Sequence, residues 1–164
     1  MVRQDSIEAH TGSIELKEAE FIQKAVGGDL FEIETKREYS RDYMTCIEEA
    51  KTELREGARP ALKNYLDSIE PYDTLFVGYP IWWGEIPNIV YTFMDSYDFT
   101  GKTVIPFNTH EGSGQARSQR DMAEYLPAAT VLKGLAVRGS KAQNDAEGTA
   151  KDVQAWLNGL NLIP

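Results

Sequence analysis

The 164-residue chain has the length of one domain and is long enough to bury a core. Its 17 basic and 26 acidic residues give a formal charge of −9, and neither half is basic, which excludes charge-driven binding to nucleic acid or an anionic membrane. Hydrophobic residues make up 41%, too many for a disordered chain, and no apolar run is long enough to span a membrane.

The first predicted element is a helix over 15–26, with Leu16, Ala19, Ile22 and Val26 at helical spacing and Gly27-Gly28 as its stop. DLFEIE (29–34) alternates apolar residues with acids and reads as a strand near a sheet edge. Residues 40–56 read as a second helix, with Ser40 as N-cap and Gly57 and Pro60 ending it. TLFVGYP (74–80) is a short apolar run that reads as a buried parallel strand. An apolar helix over 88–97 follows, capped by Asn88 after Pro87. TVIPFNTH (103–110) is a second buried strand, and 114–125 is a polar helix stopped before Pro127. TVLKGLAV (130–137) is the last strand. A terminal helix spans 143–158, with Ala146, Ala150, Val153 and Leu157 along one face.

Strands alternating with helices imply an α/β protein with a parallel sheet covered on both faces. Ligands in such sheets sit outside the carboxyl ends of the strands. The loops after residues 80 and 110 are therefore the places to look for chemistry. The first is Tyr79-Pro80-Ile81-Trp82-Trp83-Gly84-Glu85-Ile86-Pro87. Its aromatic faces suit a flat ligand, and its prolines stiffen the loop. One of the two tryptophans could instead pack under the 88–97 helix. The second is Asn108-Thr109-His110-Glu111-Gly112-Ser113-Gly114. Its glycines let backbone N–H groups approach a ligand, and Thr109 and Ser113 add hydroxyls. A helix starting at residue 114 would also aim its dipole at this mouth.

One cysteine, Cys46, excludes an internal disulfide and a cysteine-cluster metal site. His10 and His110 lack the spacing of a zinc helix. MVRQDSIEAHTG has no apolar stretch of the secretory kind, so a reduced, cytoplasmic setting is expected.

YDTLFVGYPIWWGEIPNIVYTFMDSYDFTGKTVIPFNTHEGSG (72–114) resembles the flavodoxin family, in particular the bacterial flavodoxin-like proteins with G-Y-P-x-W-W-G and T-H-x-G-S-G loops. The likeness runs from GGDLFEIE (27–34) through EGARPAL (56–62) to the terminal helix. It implies a flavodoxin-like doubly wound parallel sheet in three layers, of strand order 2-1-3-4-5, that binds FMN. It also implies redox chemistry carried by the flavin, as an electron carrier or a small FMN-dependent oxidoreductase with a separate redox partner. Tyr79 to Gly84 would line one edge and face of the isoalloxazine, with Trp83 or Trp82 stacking. Thr109 to Gly114 would wrap the other side. His110 would stand near the reducible edge or in solvent. Glu111 departs from the glycine common in this loop; pointing inward, it would disfavour an anionic reduced flavin.

The larger departure is at the front. Flavodoxins open with a buried apolar strand and a Thr/Ser/Gly/Asn-rich loop that holds the FMN phosphate at a helix N-terminus. Residues 1–14 contain no apolar run of four and look more like the tail of an insertion found in long relatives. They form an atypical N-terminal segment ahead of a flavodoxin-like domain over 15–164. Thr11-Gly12-Ser13 faintly resembles the phosphate loop, and Ser13 also suits an N-cap for the 15–26 helix. A missing central strand would leave two strand edges bare. Three repairs exist: a poor polar strand over 2–9, direct pairing of 29–34 with 74–80, or a second copy as a homodimer. Direct pairing or dimerisation is the expectation. Lost phosphate contacts would leave FMN binding weak or absent. The alternative is a non-catalytic interaction domain that keeps the fold and binds no flavin. A receiver domain shares the fold, but Tyr79-Pro80 stands where it needs an acid.

Overall fold

The two apolar runs are the two longest strands and lie side by side in the sheet. A computed structural model describes residues 6–36 and 41–162. In chain order the elements are β1 (Ser6–His10), α1 (Ser13–Val26), β2 (Asp29–Glu32), α2 (Tyr43–Glu56), β3 (Thr74–Pro80), α3 (Asn88–Asp95), β4 (Thr103–His110), α4 (Ser118–Tyr125), β5 (Thr130–Val131), β6 (Leu135–Arg138), α5 (Gly139–Asn144) and α6 (Ala146–Gly159). The sheet order is β2-β1-β3-β4-β5, with β6 also pairing β4, and every pair is parallel.

The first strand is present, which corrects the expectation of direct pairing between 29–34 and 74–80. β1 lies between β2 and β3, with Ile7 opposite Asp29 on one side and Leu75 on the other. The polar-strand repair is the one adopted, and the edges that called for a second copy are already paired. All five β1 residues are buried. Side chains alternate across a strand. Ile7 and Ala9 join the core on the α3 side. Ser6, Glu8 and His10 are buried on the opposite face, where a strand covered on both sides ordinarily carries apolar residues.

Two apolar cores flank the sheet. Leu75, Val77, Tyr79 and Val104 pack with Ile89, Val90, Phe93 and Met94 of α3 and Met122 of α4. Phe76, Ile105 and Phe107 pack with Ala19, Ile22 and Val26 of α1 and Val153, Trp156 and Leu157 of α6. The result is the three-layer, doubly wound arrangement.

Several boundaries move. Gly27 ends α1 in the left-handed conformation, φ 78°, as expected. The α1 cap position is Gly12 with no side-chain cap bond, so Ser13 is the first helical residue and not the N-cap. Pro87, not Asn88, caps α3, which ends at Asp95. Ser40 lies outside the described residues. α2 begins at Tyr43, and the Asp42 carboxylate accepts from the Thr45 N–H at 2.9 Å. α4 begins at Ser118, four residues later than expected, so its dipole does not start at Gly114.

The last strand is broken in two. The Val104 carbonyl accepts from Leu132 N–H, so the two-residue period turns Pro106 toward the same edge. Proline has no N–H to give there, and pairing resumes only at Phe107 opposite Leu135. The terminal helix is likewise two helices, joined at Asp145, whose carboxylate caps α6 by accepting from Gly148 N–H. Thr149, Val153, Trp156 and Leu157 form its buried face; Ala146 is exposed.

Candidate functional site

The carboxyl ends of β1, β3 and β4 open at one end of the sheet. Thr11 N–H donates to Gly78 carbonyl at 2.9 Å, and Ile81 N–H donates to Thr109 carbonyl at 3.0 Å. These bonds tie the three exit loops side by side.

The β3 exit is a tight reversal. Trp82 and Glu85 exchange backbone hydrogen bonds at 3.0 and 2.9 Å. The two residues between them, Trp83 and Gly84, have φ of 50° and 79°. Two consecutive positive φ values make a turn of the mirror-image hairpin type. Gly84 adopts that conformation freely; a bulky residue at Trp83 does so at a cost, and such strain concentrates at binding sites. Trp83 is 52% exposed, with the Lys51 ammonium 5.8 Å from its ring centre. Trp82 is half-buried.

A cavity of about 710 Å³ lies between this turn and the β1 exit. Thr11, Gly12 and Ser13 form one wall, and Trp82, Trp83 and Ile89 form another. Glu32 to Thr35, at the end of β2, close the third side with Arg41, Cys46 and Ile47. Lys63 enters because residues 61–63 run back along 34–36, through Lys63 N–H to Glu34 carbonyl at 2.8 Å and Lys36 N–H to Ala61 carbonyl at 2.9 Å. Its ammonium stands 3.8 Å from the Glu34 carboxylate. A second hollow, of about 660 Å³, lies between α2 and residues 58–61 and meets neither exit loop.

The expected site residues divide. Thr11, Ser13, Trp82 and Trp83 share the cavity. Tyr79 is fully buried beneath it, its hydroxyl donating to the Ser118 hydroxyl at 3.0 Å, and burial pushes its phenol upward. Pro80, Ile81 and Gly84 shape the turn without forming the cavity wall. The Thr109–Gly114 segment stands beside the cavity rather than around it. His110 Nδ1 accepts from Gly112 N–H at 2.9 Å. Gly112 and Gly114 hold φ of 135° and 63°, and Ser113 is exposed. Glu111 turns toward α5: its carboxylate accepts from Ser140 N–H at 3.1 Å and lies 4.0 Å from Arg138.

Thr109 reaches elsewhere. Its hydroxyl donates to the carboxylate of Glu15, in the first turn of α1. Glu15 is 2% exposed. Burial raises its pKa, opposed by the Thr109 bond and by a bond from its own backbone N–H. One turn on, Glu18 is fully buried, and its two oxygens have no hydrogen-bond partner among the described residues. Burial first, then the nearby Glu15 charge, push its pKa well above the ordinary carboxylate value.

The sequence reading missed Glu15, Glu32, Glu34, Arg41, Cys46 and Lys63. The rule that pointed to the ends of 74–80 and 103–110 applies equally to the end of β2, and would have found Glu32 to Thr35. Nothing local marks Lys63, which arrives through loop pairing.

Among the described residues no helix is long and apolar enough to cross a membrane, and no group of His, Cys, Asp and Glu is placed to hold a metal ion.

No curated protein matches the sequence. Among solved structures, a Bacteroides eggerthii protein described as a flavoprotein is 29% identical, with a TM-score of 0.81 over 96% of this chain and 98% of its own. A Bacteroides uniformis protein described in the same way is 29% identical, with a TM-score of 0.79 over 94% of this chain and 97% of its own. A Lactobacillus acidophilus flavoprotein in complex with FMN shares the fold at 20% identity, with a TM-score of 0.66 over 85% of this chain and 96% of its own. The sequence also matches the family described as Flavodoxin over residues 9–159. With that match, the order β2-β1-β3-β4-β5 and the cavity at the strand ends, the chain belongs to the flavodoxin family.

Proposed function

We propose that this protein is a flavin-binding redox protein, an electron carrier or a small flavin-dependent reductase. The observation that carries the reading is the convergence of the Trp82-Trp83 turn and the Thr11–Ser13 turn on one cavity. Its volume is in the ordinary range for small-ligand sites, ~300–1,000 Å³. A flat tricyclic ring suits a wall of two indoles. A bound flavin supplies one- or two-electron chemistry, and the chain supplies binding and orientation. Backbone N–H groups of Trp83 and Gly84, between the paired ends of the turn, and hydroxyls of Thr11 and Ser13 are the polar groups offered to its edges.

The residues fit the ring and oppose the phosphate. A flavodoxin phosphate belongs at the start of the first helix. In this chain that turn holds Glu15, fully shielded and bonded by Thr109. The phosphate site is therefore weakened. The same observation favours the second reading, a fold kept for interaction without flavin. A cytoplasmic setting with a separate redox partner belongs to the proposal, and the single cysteine accords with it.

Tryptophan fluorescence tests the reading. Flavin in the cavity quenches Trp82 and Trp83, and Trp83→Gly removes the Trp83 share of that response and shifts the rest to higher flavin concentration. A full flavin titration without quenching, on protein shown to be folded, favours the interaction domain.

A further inference from the structure

We propose that the cavity takes an unphosphorylated flavin, of the riboflavin class, in preference to its 5′-phosphate. The inference rests on the flavin reading above and adds the ligand class.

An anion is held at a helix start by unpaired N–H groups and nearby hydroxyls. The start of α1 already has an occupant from its own chain. The Glu15 carboxyl takes the Thr109 hydroxyl and its own backbone N–H. Gly12, at φ 99°, opens the turn that a ligand phosphate would enter. That opening is filled: a Cβ at Gly12 would fall within the Glu15 carboxyl group. Ionised or protonated, the carboxyl occupies the space and takes two of the donors there, the Thr109 hydroxyl and the Glu15 N–H.

The cavity wall does not compensate. Arg41 and Lys63 are matched there by Glu32 and Glu34, and Lys63 already stands 3.8 Å from Glu34. A phosphate dianion finds no surplus positive charge among the described wall residues. A sugar-alcohol chain without phosphate needs none. Its hydroxyls can donate to Glu32 and Glu34 and exchange hydrogen bonds with Thr11 and Ser13.

The test is a pair of fluorescence titrations of the full chain, with riboflavin and with FMN, at one pH and ionic strength. The expected result is a riboflavin Kd below the FMN Kd. Glu15→Ser empties the space and frees the donors; it is expected to shift the preference toward FMN by about tenfold or more, one charge-assisted contact being worth at least that. Glu15→Gln keeps the bulk and is expected to shift it less. FMN bound as tightly as riboflavin, or more tightly, by the unaltered protein overturns the inference and leaves the flavin reading standing. Binding of neither flavin overturns both. If Glu15→Ser fails to fold by circular dichroism, the comparison on the unaltered protein decides.

Discussion

Thr109 at the end of β4 donates its hydroxyl to Glu15 in the first turn of α1, across 94 residues of sequence. The bond joins a sheet strand to the helix packed over it. Replacing Thr109 by Val keeps the shape and removes the donor. A buried polar group that loses its partner costs ~1–3 kcal/mol. Urea unfolding of Thr109→Val is expected to show a loss of that size, with the Glu15 pKa rising further. An unchanged unfolding midpoint would mean the bond contributes nothing to stability.

Glu8 makes stability depend on pH. Burial, then the neighbouring Asp29 charge, raise its pKa from 4.5 to about 8, with the nearby Gly28 N–H acting the other way. Ser6 and Tyr72 also face this region, and Tyr72 is bonded to Asp29. Between 4.5 and about 8 the unfolded chain has released the proton that the folded chain keeps. The folded state binds more protons there, so stability falls as pH rises through that window. His10 acts oppositely: burial holds it below 6.5, and its contribution is lost as pH falls below that value. Above pH 6.5 the buried acids therefore act alone. Denaturant unfolding is expected to show a loss of about 1–2 kcal/mol between pH ~6.5 and ~8. Glu8→Gln should flatten that slope; an unchanged slope would assign it to other groups.

Gly78 on β3 faces Phe107 on β4 in register. A Cβ at Gly78 would fall within the Phe107 ring, which is fully buried. Gly78→Ala is expected to destabilise by ~1–3 kcal/mol through overpacking. Thermal unfolding measures it, and a second change, Phe107→Leu, should recover part of the loss.

Trp83 separates binding from stability. Its ring is 52% exposed and its φ of 50° suits glycine better than an indole. Trp83→Gly is expected to leave the melting temperature unchanged or higher. A lost ring–ring contact of ~0.5–1.5 kcal/mol weakens flavin binding by about two- to tenfold. Isothermal titration beside a thermal melt reads both; unchanged affinity would remove Trp83 from the site.

Much of the fold was legible because β3 and β4 are buried on both faces and so are written as unbroken apolar runs. β1 was not, because Ser6, Glu8 and His10 stand at three of its five positions, and the pattern of a buried strand disappears with them. The division of the last strand was hidden in Pro106, a residue of the neighbouring strand. The Trp82-Trp83 turn announced itself by composition. Glu15 did not: an acid in a helix's first turn ordinarily faces solvent and complements the dipole. Only the folded chain shows it turned inward toward Thr109. The cationic side of the cavity was equally hidden, since Lys63 depends on residues 61–63 pairing with 34–36.

Equilibrium dialysis of the purified, folded protein against riboflavin, read by the visible absorption band, tests the central claim most directly. The flavin reading predicts excess flavin on the protein side, approaching one per chain, with a band shifted from that of free riboflavin. Equal flavin on both sides, with FMN giving the same result, would contradict it.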